Sequence, residues 1–202
     1  MRVPEPVRAS FVSKNAHKAA ELAGLLPGWE IQPTLAAELP DEMGETFYEN
    51  ARAKACFGRT VDPPDRWTIG EDSGLEVVGL DGRPGIYSAR YAGPGATDEE
   101  NIARLLADLE GVTGAGRRGR YVSELVCLTP ELDEIRGTGT LEGTIADAPR
   151  GSEGFGYDPV FVPDGEERTV AELGNEWKAR RSHRAAAARK LREAVGNVAS
   201  GR

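Results

Sequence analysis

Cysteine is scarce in this 202-residue chain, which holds only Cys56 and Cys127, far apart and each in apolar surroundings. That spacing excludes a disulfide framework and a structural zinc site, and both thiols read as small core residues of a reducing compartment. Long apolar runs are missing as well. No window approaches the roughly 20 apolar residues that span a membrane, and Met1 to Pro6 carries no secretory apolar segment, so a cytoplasmic protein without a membrane partner is expected. Positive charge is in deficit: 25 Lys and Arg against 33 Asp and Glu leave a net charge of −8 and a pI near 5.0. Such a surface repels nucleic acid, which excludes a polynucleotide partner. Repeats, low-complexity tracts and linkers are absent too.

What remains is globular. Hydrophobic residues make up 39% and charged residues 29% of the chain, and the mean hydropathy is −0.45, a composition that sustains a core and rules out disorder as the main state. Glycine is abundant, 25 of 202 residues against a usual level of roughly 7%, so many backbone positions need a positive φ or a close approach.

Patterning gives an order of elements. A strand over Arg8 to Val12 runs through the polar turn Ser13-Lys14-Asn15 into a helix with Ala19, Leu22, Ala23 and Leu26 at helical spacing, stopped by Pro27-Gly28. Trp29 to Gln32 reads as a strand and about Thr46 to Arg59 as a helix. Trp67 to Gly70 reads as a strand that ends at Glu71-Asp72, with a second apolar run from Leu75 to Leu80. Thr97 and Glu100 form a capping box before a helix carrying Ile102, Leu105, Leu106 and Leu109, closed by Gly111. Tyr121 to Thr129 and Ile135 to Ile145 predict an antiparallel hairpin turning at Pro130 to Asp133. Val160 to Val162, a short helix near Glu176 and a final helix from about His183 to Val195 complete the chain. The interleaving predicts an α/β fold on a long central mixed β-sheet flanked by helices.

Four constellations carry chemistry. Ser13, Lys14, Asn15 and Lys18 stand where a strand meets a helix N-terminus, a place that suits phosphate, although the turn lacks P-loop glycines and Asn15 serves equally as a plain helix cap. The acids Asp41, Glu42 and Glu45 precede one helix, and Glu71 and Asp72 precede Ser73 and Gly74. Carboxylates without His or Cys partners suit a hard cation such as Mg²⁺, while an Asx turn and helix-dipole matching are the plain alternatives. Gly154-Phe155-Gly156-Tyr157-Asp158 offers flat rings beside bare backbone, fit to stack a planar base, or else forms a buried aromatic corner. Lys178 with Ser182-His183-Arg184 supplies donors that read oxygen acceptors, or a cap with solvated cations.

Taken in this order, Asp72-Ser73-Gly74-Leu75 with Pro84-Gly85-Ile86-Tyr87-Ser88-Ala89-Arg90-Tyr91, then Gly154 to Pro159, then Ser182-His183-Arg184, resemble the inosine/xanthosine triphosphate pyrophosphatase family over about Arg8 to Val195. Thr46 to Ala51 matches that family's helix after the acidic loop. The resemblance implies Mg²⁺-dependent hydrolysis of ITP, dITP and XTP to the monophosphate and pyrophosphate. It also implies a single two-lobed domain over residues 1–202, ordered from about 8 to 196, with the active-site cleft between the lobes, and a homodimer. Asp72 is then the proton acceptor and a metal ligand with Asp41 or Glu42. Ser13, Lys14, Asn15 and Lys18 hold phosphates with Ser73 nearby, Phe155, Gly156, Tyr157 and Asp158 line the base and sugar side, and Lys178, His183 and Arg184 recognise the substrate. The chain departs from the family's usual pattern in Lys14, where glycine is common, and in Glu71, where aspartate is frequent. A pyrophosphatase for another damaged nucleotide and a silent nucleotide-binding module remain open beside this reading.

Overall fold

The computed structural model describes residues 6–200, with side chains to residue 196; residues 1–5, on which most of the N-terminal reading rests, lie outside the described residues. Six strands form one sheet in the order β2-β1-β3-β4-β5-β6: β1 (Val7–Val12), β2 (Trp29–Pro33), β3 (Trp67–Val77), β4 (Arg118–Leu128), β5 (Glu134–Ile145) and β6 (Phe161–Pro163). β1 pairs parallel with both β2 and β3, and β6 pairs antiparallel with β5, so the sheet is mixed as expected. The link from β4 to β5 is too short for a parallel crossover and is closed by the Thr129 N–H donating to the Asp133 carbonyl at 3.0 Å, which makes the predicted hairpin.

The helices are α1 (Ala16–Leu25), α2 (Phe47–Val61), α3 (Asp98–Asp108), α4 (Val170–Leu173), α5 (Asn175–Arg181) and α6 (His183–Ser200). Local chemistry accounts for their starts. Asn15 caps α1, and Thr46 with Glu49, Thr97 with Glu100 and Thr169 with Glu172 make complete capping boxes for α2, α3 and α4. Those of α2 and α4 went unread in the sequence, although their Thr-x-x-Glu signals are present, and α6 runs past the expected Val195.

One expectation is corrected. Glu71 and Asp72 do not end a strand: they lie in the interior of the 11-residue β3, which continues through Ser73 and Gly74 to Val77 before the chain turns in a 3₁₀ segment, Val78–Leu80. Acids lower strand propensity but do not forbid it when each finds a buried partner, as both do here.

The described chain divides into two compact units, one holding residues up to Asp72, Ser123–Gly139 and the chain from Arg184, the other Ser73–Val122 and Thr140–His183. The first unit's core joins Phe11, Leu22, Leu26, Ile69, Leu125 and Leu191, with Ala51, Ala55, Val126 and Leu128 as a second cluster. The other unit buries Leu75, Leu105, Tyr121, Ile145, Tyr157 and Phe161 together. Among the described residues, no helix is long and apolar enough to cross a membrane.

Gly70 sets how closely α2 approaches β3. A Cβ there would run into the Ala51 carbonyl oxygen and lie 2.6 Å from the Ala55 nitrogen, both backbone atoms that cannot swing aside. Gly70→Ala is expected to cost about 2–3 kcal/mol and lower Tm by roughly 4–12 °C in a thermal unfolding scan; an unchanged Tm would show that α2 shifts freely.

Candidate active site

In the first unit the pleat of β3 sends neighbouring acids to opposite faces. Glu71 points with Ile69 toward α1 and α6. Its Oε1 accepts from Arg184 Nε at 2.7 Å and from Ser123 Oγ at 3.0 Å, and Lys18 Nζ stands 3.8 Å from its Oε2. Arg184 also pairs with Glu21 of α1. Asp72 points toward α2, where Asn50 and Lys54, one helical turn apart, reach it. Asn50 Nδ2 donates to Oδ2 at 3.1 Å, and Lys54 Nζ stands 3.3 Å from Oδ1. The same ammonium donates to the Glu71 carbonyl oxygen at 3.0 Å and pairs with Glu42. Asn50 and Lys54 carried no expectation from sequence; their i, i+4 spacing on a helix after the acidic loop was the available signal.

Burial decides the electrostatics. Desolvation pushes the Asp72 carboxyl above its ordinary 3.8 against the opposing pull of Lys54 and Lys18, while burial lowers the Lys18 ammonium despite Glu71. For Lys54, burial acts downward too, but Asp72 and Glu42 outweigh it and raise the ammonium. Breaking a buried pair such as Arg184 with Glu71 by removing one partner costs about 3–5 kcal/mol, far above a surface ion pair. The cluster holds Glu21, Glu42, Glu71 and Asp72 against Lys18, Lys54 and Arg184, one acid more than base.

That imbalance and the oxygen-only donors fit a hard divalent ion at Glu42 and Asp72, whose carboxylates already converge on the Lys54 cation. Asp41, the other expected ligand, is exposed, whereas Glu42 is half-buried. Among the described residues, no three His, Cys, Asp or Glu side chains gather into a complete metal cage, so an ion here would fill its shell with water and substrate oxygens, as Mg²⁺ commonly does.

The turn before α1 is locally tied. Ser13 Oγ accepts from the Asn15 N–H at 3.1 Å, Asn15 Oδ1 accepts from the Lys18 N–H at 3.0 Å, and Lys14 Nζ donates to the Ala36 carbonyl at 2.5 Å. Lys14 thus fastens the turn to the segment after β2, and Asn15 does cap the helix.

In the second unit Asp158, buried, is the hub of the glycine-rich loop. Its Oδ2 accepts from Lys178 Nζ at 2.7 Å and from the Phe155 N–H at 2.9 Å, and its Oδ1 accepts from Tyr121 Oη at 3.3 Å. Gly154 (φ 83°) leaves room for that carboxylate, which a Cβ would strike. Lys178 lies 4.3 Å from the Phe155 ring centroid, and the His183 ring stacks on Tyr121 at 4.6 Å and 9°. The Gly156 N–H donates to Asp98 at 2.6 Å. Tyr157 is a core residue whose hydroxyl donates to the Ser88 carbonyl at 2.8 Å, so the buried-corner reading holds for it, while Phe155 stays half-exposed. Ser73 is half-buried at the position after Asp72. Arg184, expected to read substrate oxygens, is 1% exposed and commits its guanidinium to Glu71 and Glu21.

The model of the Ham1 family matches residues 9–194. The chain is 46% identical over 190 residues to a dITP/XTP pyrophosphatase of Bdellovibrio bacteriovorus, covering 91% of this chain and 95% of that one. It is 44% identical over 193 residues to the dITP/XTP pyrophosphatase of Thermus thermophilus, covering 93% and 91%. Among solved structures, the Ham1 protein of Staphylococcus aureus superposes with a TM-score of 0.80 at 34% identity, covering 96% of this chain and 98% of its own. The HAM1 protein of Coxiella burnetii gives 0.82 at 33%, covering 95% and 99%.

Removing the Lys54 ammonium strips Asp72 of its strongest stabilising charge. Lys54→Met is therefore expected to raise the Asp72 pKa further, read from its ¹³C carboxyl resonance across a pH series; a downward move would contradict the assigned geometry. Because folding raises this pKa, the folded state holds the proton more tightly, and the Asp72 contribution to stability falls as pH rises from 3.8 through the folded value.

Proposed function

Because this chain belongs to the Ham1 family, we propose that it is a nucleoside-triphosphate pyrophosphatase that hydrolyses dITP, ITP and XTP to the monophosphate and pyrophosphate. The observation that carries the reading is the Asp72 carboxylate, buried, raised in pKa and flanked by Lys54 and Asn50. Water adds to the α-phosphorus as the bond to the bridging oxygen breaks, and Asp72 takes the proton that the water gives up. A carboxylate with a raised pKa is the stronger base, which suits that task.

The triphosphate is assigned to the first unit, with Lys18, the turn Ser13-Lys14-Asn15 and the N-terminus of α1 as its contacts. Glu42 and Asp72 would hold Mg²⁺, which when bound neutralises phosphate charge and turns a cluster of net negative sign into one that accepts a polyanion. The base is assigned to the second unit. Phe155, half-exposed, offers a ring to the base, and Lys178 and His183 donate toward the O6 that hypoxanthine and xanthine carry where adenine has an amino group. A site built on donors confronts adenine with donor against donor, which can cost it about 10⁴ in selectivity. Arg184 acts through Glu71 rather than on the base. A homodimer, with a mass in light scattering of twice the 21.7 kDa chain, and a cytoplasmic location belong to the same reading.

Pyrophosphate release measured on dITP, ITP, XTP, ATP and GTP, with Mg²⁺ and with chelator, tests it. Turnover of the first three is expected, with little from ATP and none in chelator; equal rates on ATP would discard the specificity. Asp72→Asn is expected to lower kcat by about 10²–10⁴ and to abolish the acid limb of the kcat/KM profile, which in the wild type lies above pH 3.8. Turnover close to wild type would remove Asp72 from its role. Phe155→Ala should raise KM by roughly tenfold at similar kcat, in line with the loss of one stacked base; a Tm loss without a KM effect would return Phe155 to packing alone.

A further inference from the structure

Tyr121 of β4 is 7% exposed and belongs to the second unit's core, yet its contacts are unlike those of a core residue. One face of its ring carries the His183 imidazole in a parallel stack, centroids 4.6 Å apart and planes 9° from coincidence. The ring also meets Phe161 at 4.6 Å and 47°, which stops it from turning. Its hydroxyl donates to Asp158 Oδ1 at 3.3 Å, and the other oxygen of that carboxylate holds Lys178 and the Phe155 backbone. A single ring therefore touches, directly or through one carboxylate, each of the three residues assigned to the base, Phe155 through its backbone. Burial and the Asp158 charge push the phenol well above its ordinary 10.0, so it remains a donor to Asp158 at any working pH.

We propose that Tyr121 is a positioning residue for base selection: it fixes the plane of His183 by stacking and the orientation of Asp158 by its hydroxyl, and so presets Lys178 and Phe155 without touching substrate. The proposal rests on the assignment of the base to Phe155, Lys178 and His183. Its logic is preorganisation, since a donor whose plane is already set reads an oxygen acceptor without a further loss of freedom, and one free to rotate can adapt to a wrong base. The chain thereby has a selectivity determinant with no place in its recognised motifs.

The two contributions separate by substitution. Tyr121→Phe keeps the stack and deletes the hydroxyl, and Tyr121→Leu deletes both. For dITP, Tyr121→Phe is expected to raise KM about threefold, and Tyr121→Leu about thirtyfold, each with kcat changed less than threefold; in Tyr121→Leu the dITP-over-dATP ratio of kcat/KM should fall about tenfold. A residue that only fills the core would lower Tm and leave KM and the base ratio untouched, and that result in both variants would overturn the proposal. So would a fall in kcat at constant KM. The His183 ring-proton resonances give a readout that needs no turnover: they are expected to keep their ring-current shift in Tyr121→Phe and lose it in Tyr121→Leu. If the wild-type protein released no pyrophosphate from any triphosphate, the proposed function would fall, whereas resonances unmoved in Tyr121→Leu would sink the positioning role by itself. Should Tyr121→Leu not fold, the KM of Tyr121→Phe decides the hydroxyl's part.

Discussion

The carboxyl group of Glu71, 1% exposed in the middle of a strand, is the constraint to which much of the first unit answers. An isolated buried carboxylate is not tolerated, since desolvation costs several kcal/mol and is repaid only by good geometry and further hydrogen bonds. The repayment is drawn from three elements: Arg184 comes from α6, Lys18 from α1 and Ser123 from β4. Arg184 is almost wholly buried because it serves this carboxyl, and α6 and α1 are drawn together over the sheet by the Glu21–Arg184–Glu71 chain as much as by Leu22 and Leu191.

The neighbouring carboxylate gains from the same strand without sharing its fate. Period-two alternation turns Asp72 away from Arg184 and toward α2, where it meets an amide and an ammonium instead of a guanidinium fork. On the other face Arg184 gives Glu71 one bond, from Nε to Oε1, and turns a second nitrogen to Glu21. Lys54 is a point charge on a flexible stem, and its pull on Asp72 does not outweigh the burial that raises that carboxyl's pKa. Two acids adjacent in sequence are thereby given different surroundings, by which face of the pleat each occupies.

Much of this was legible in the chain. The capping box of α3, the strand-turn-helix opening and the β4-β5 hairpin follow from local hydrogen-bond chemistry and periodicity, which act over a few residues. What local pattern could not reveal are pairings across more than fifty residues, such as Ser123 or Arg184 with Glu71. The placement of Glu71 and Asp72 at a strand end failed for the same reason, because acids look like a terminus until their partners on other elements are known. The aromatic loop divided in a way the sequence could not foresee: Tyr157 faces the core and Phe155 does not, a matter of Gly156 at φ 62° between them.

The ammonium of Lys178, resting 4.3 Å from the centre of the Phe155 ring, has a consequence for anything laid on that ring. One side of the aromatic is already spoken for, so a heterocycle can be layered only on the reverse. The cation also withdraws π-density from the ring it covers, leaving the opposite side poorer in electrons and better matched to an electron-rich guest. Phe155 is in effect a one-sided surface, biased in polarity before any nucleotide arrives.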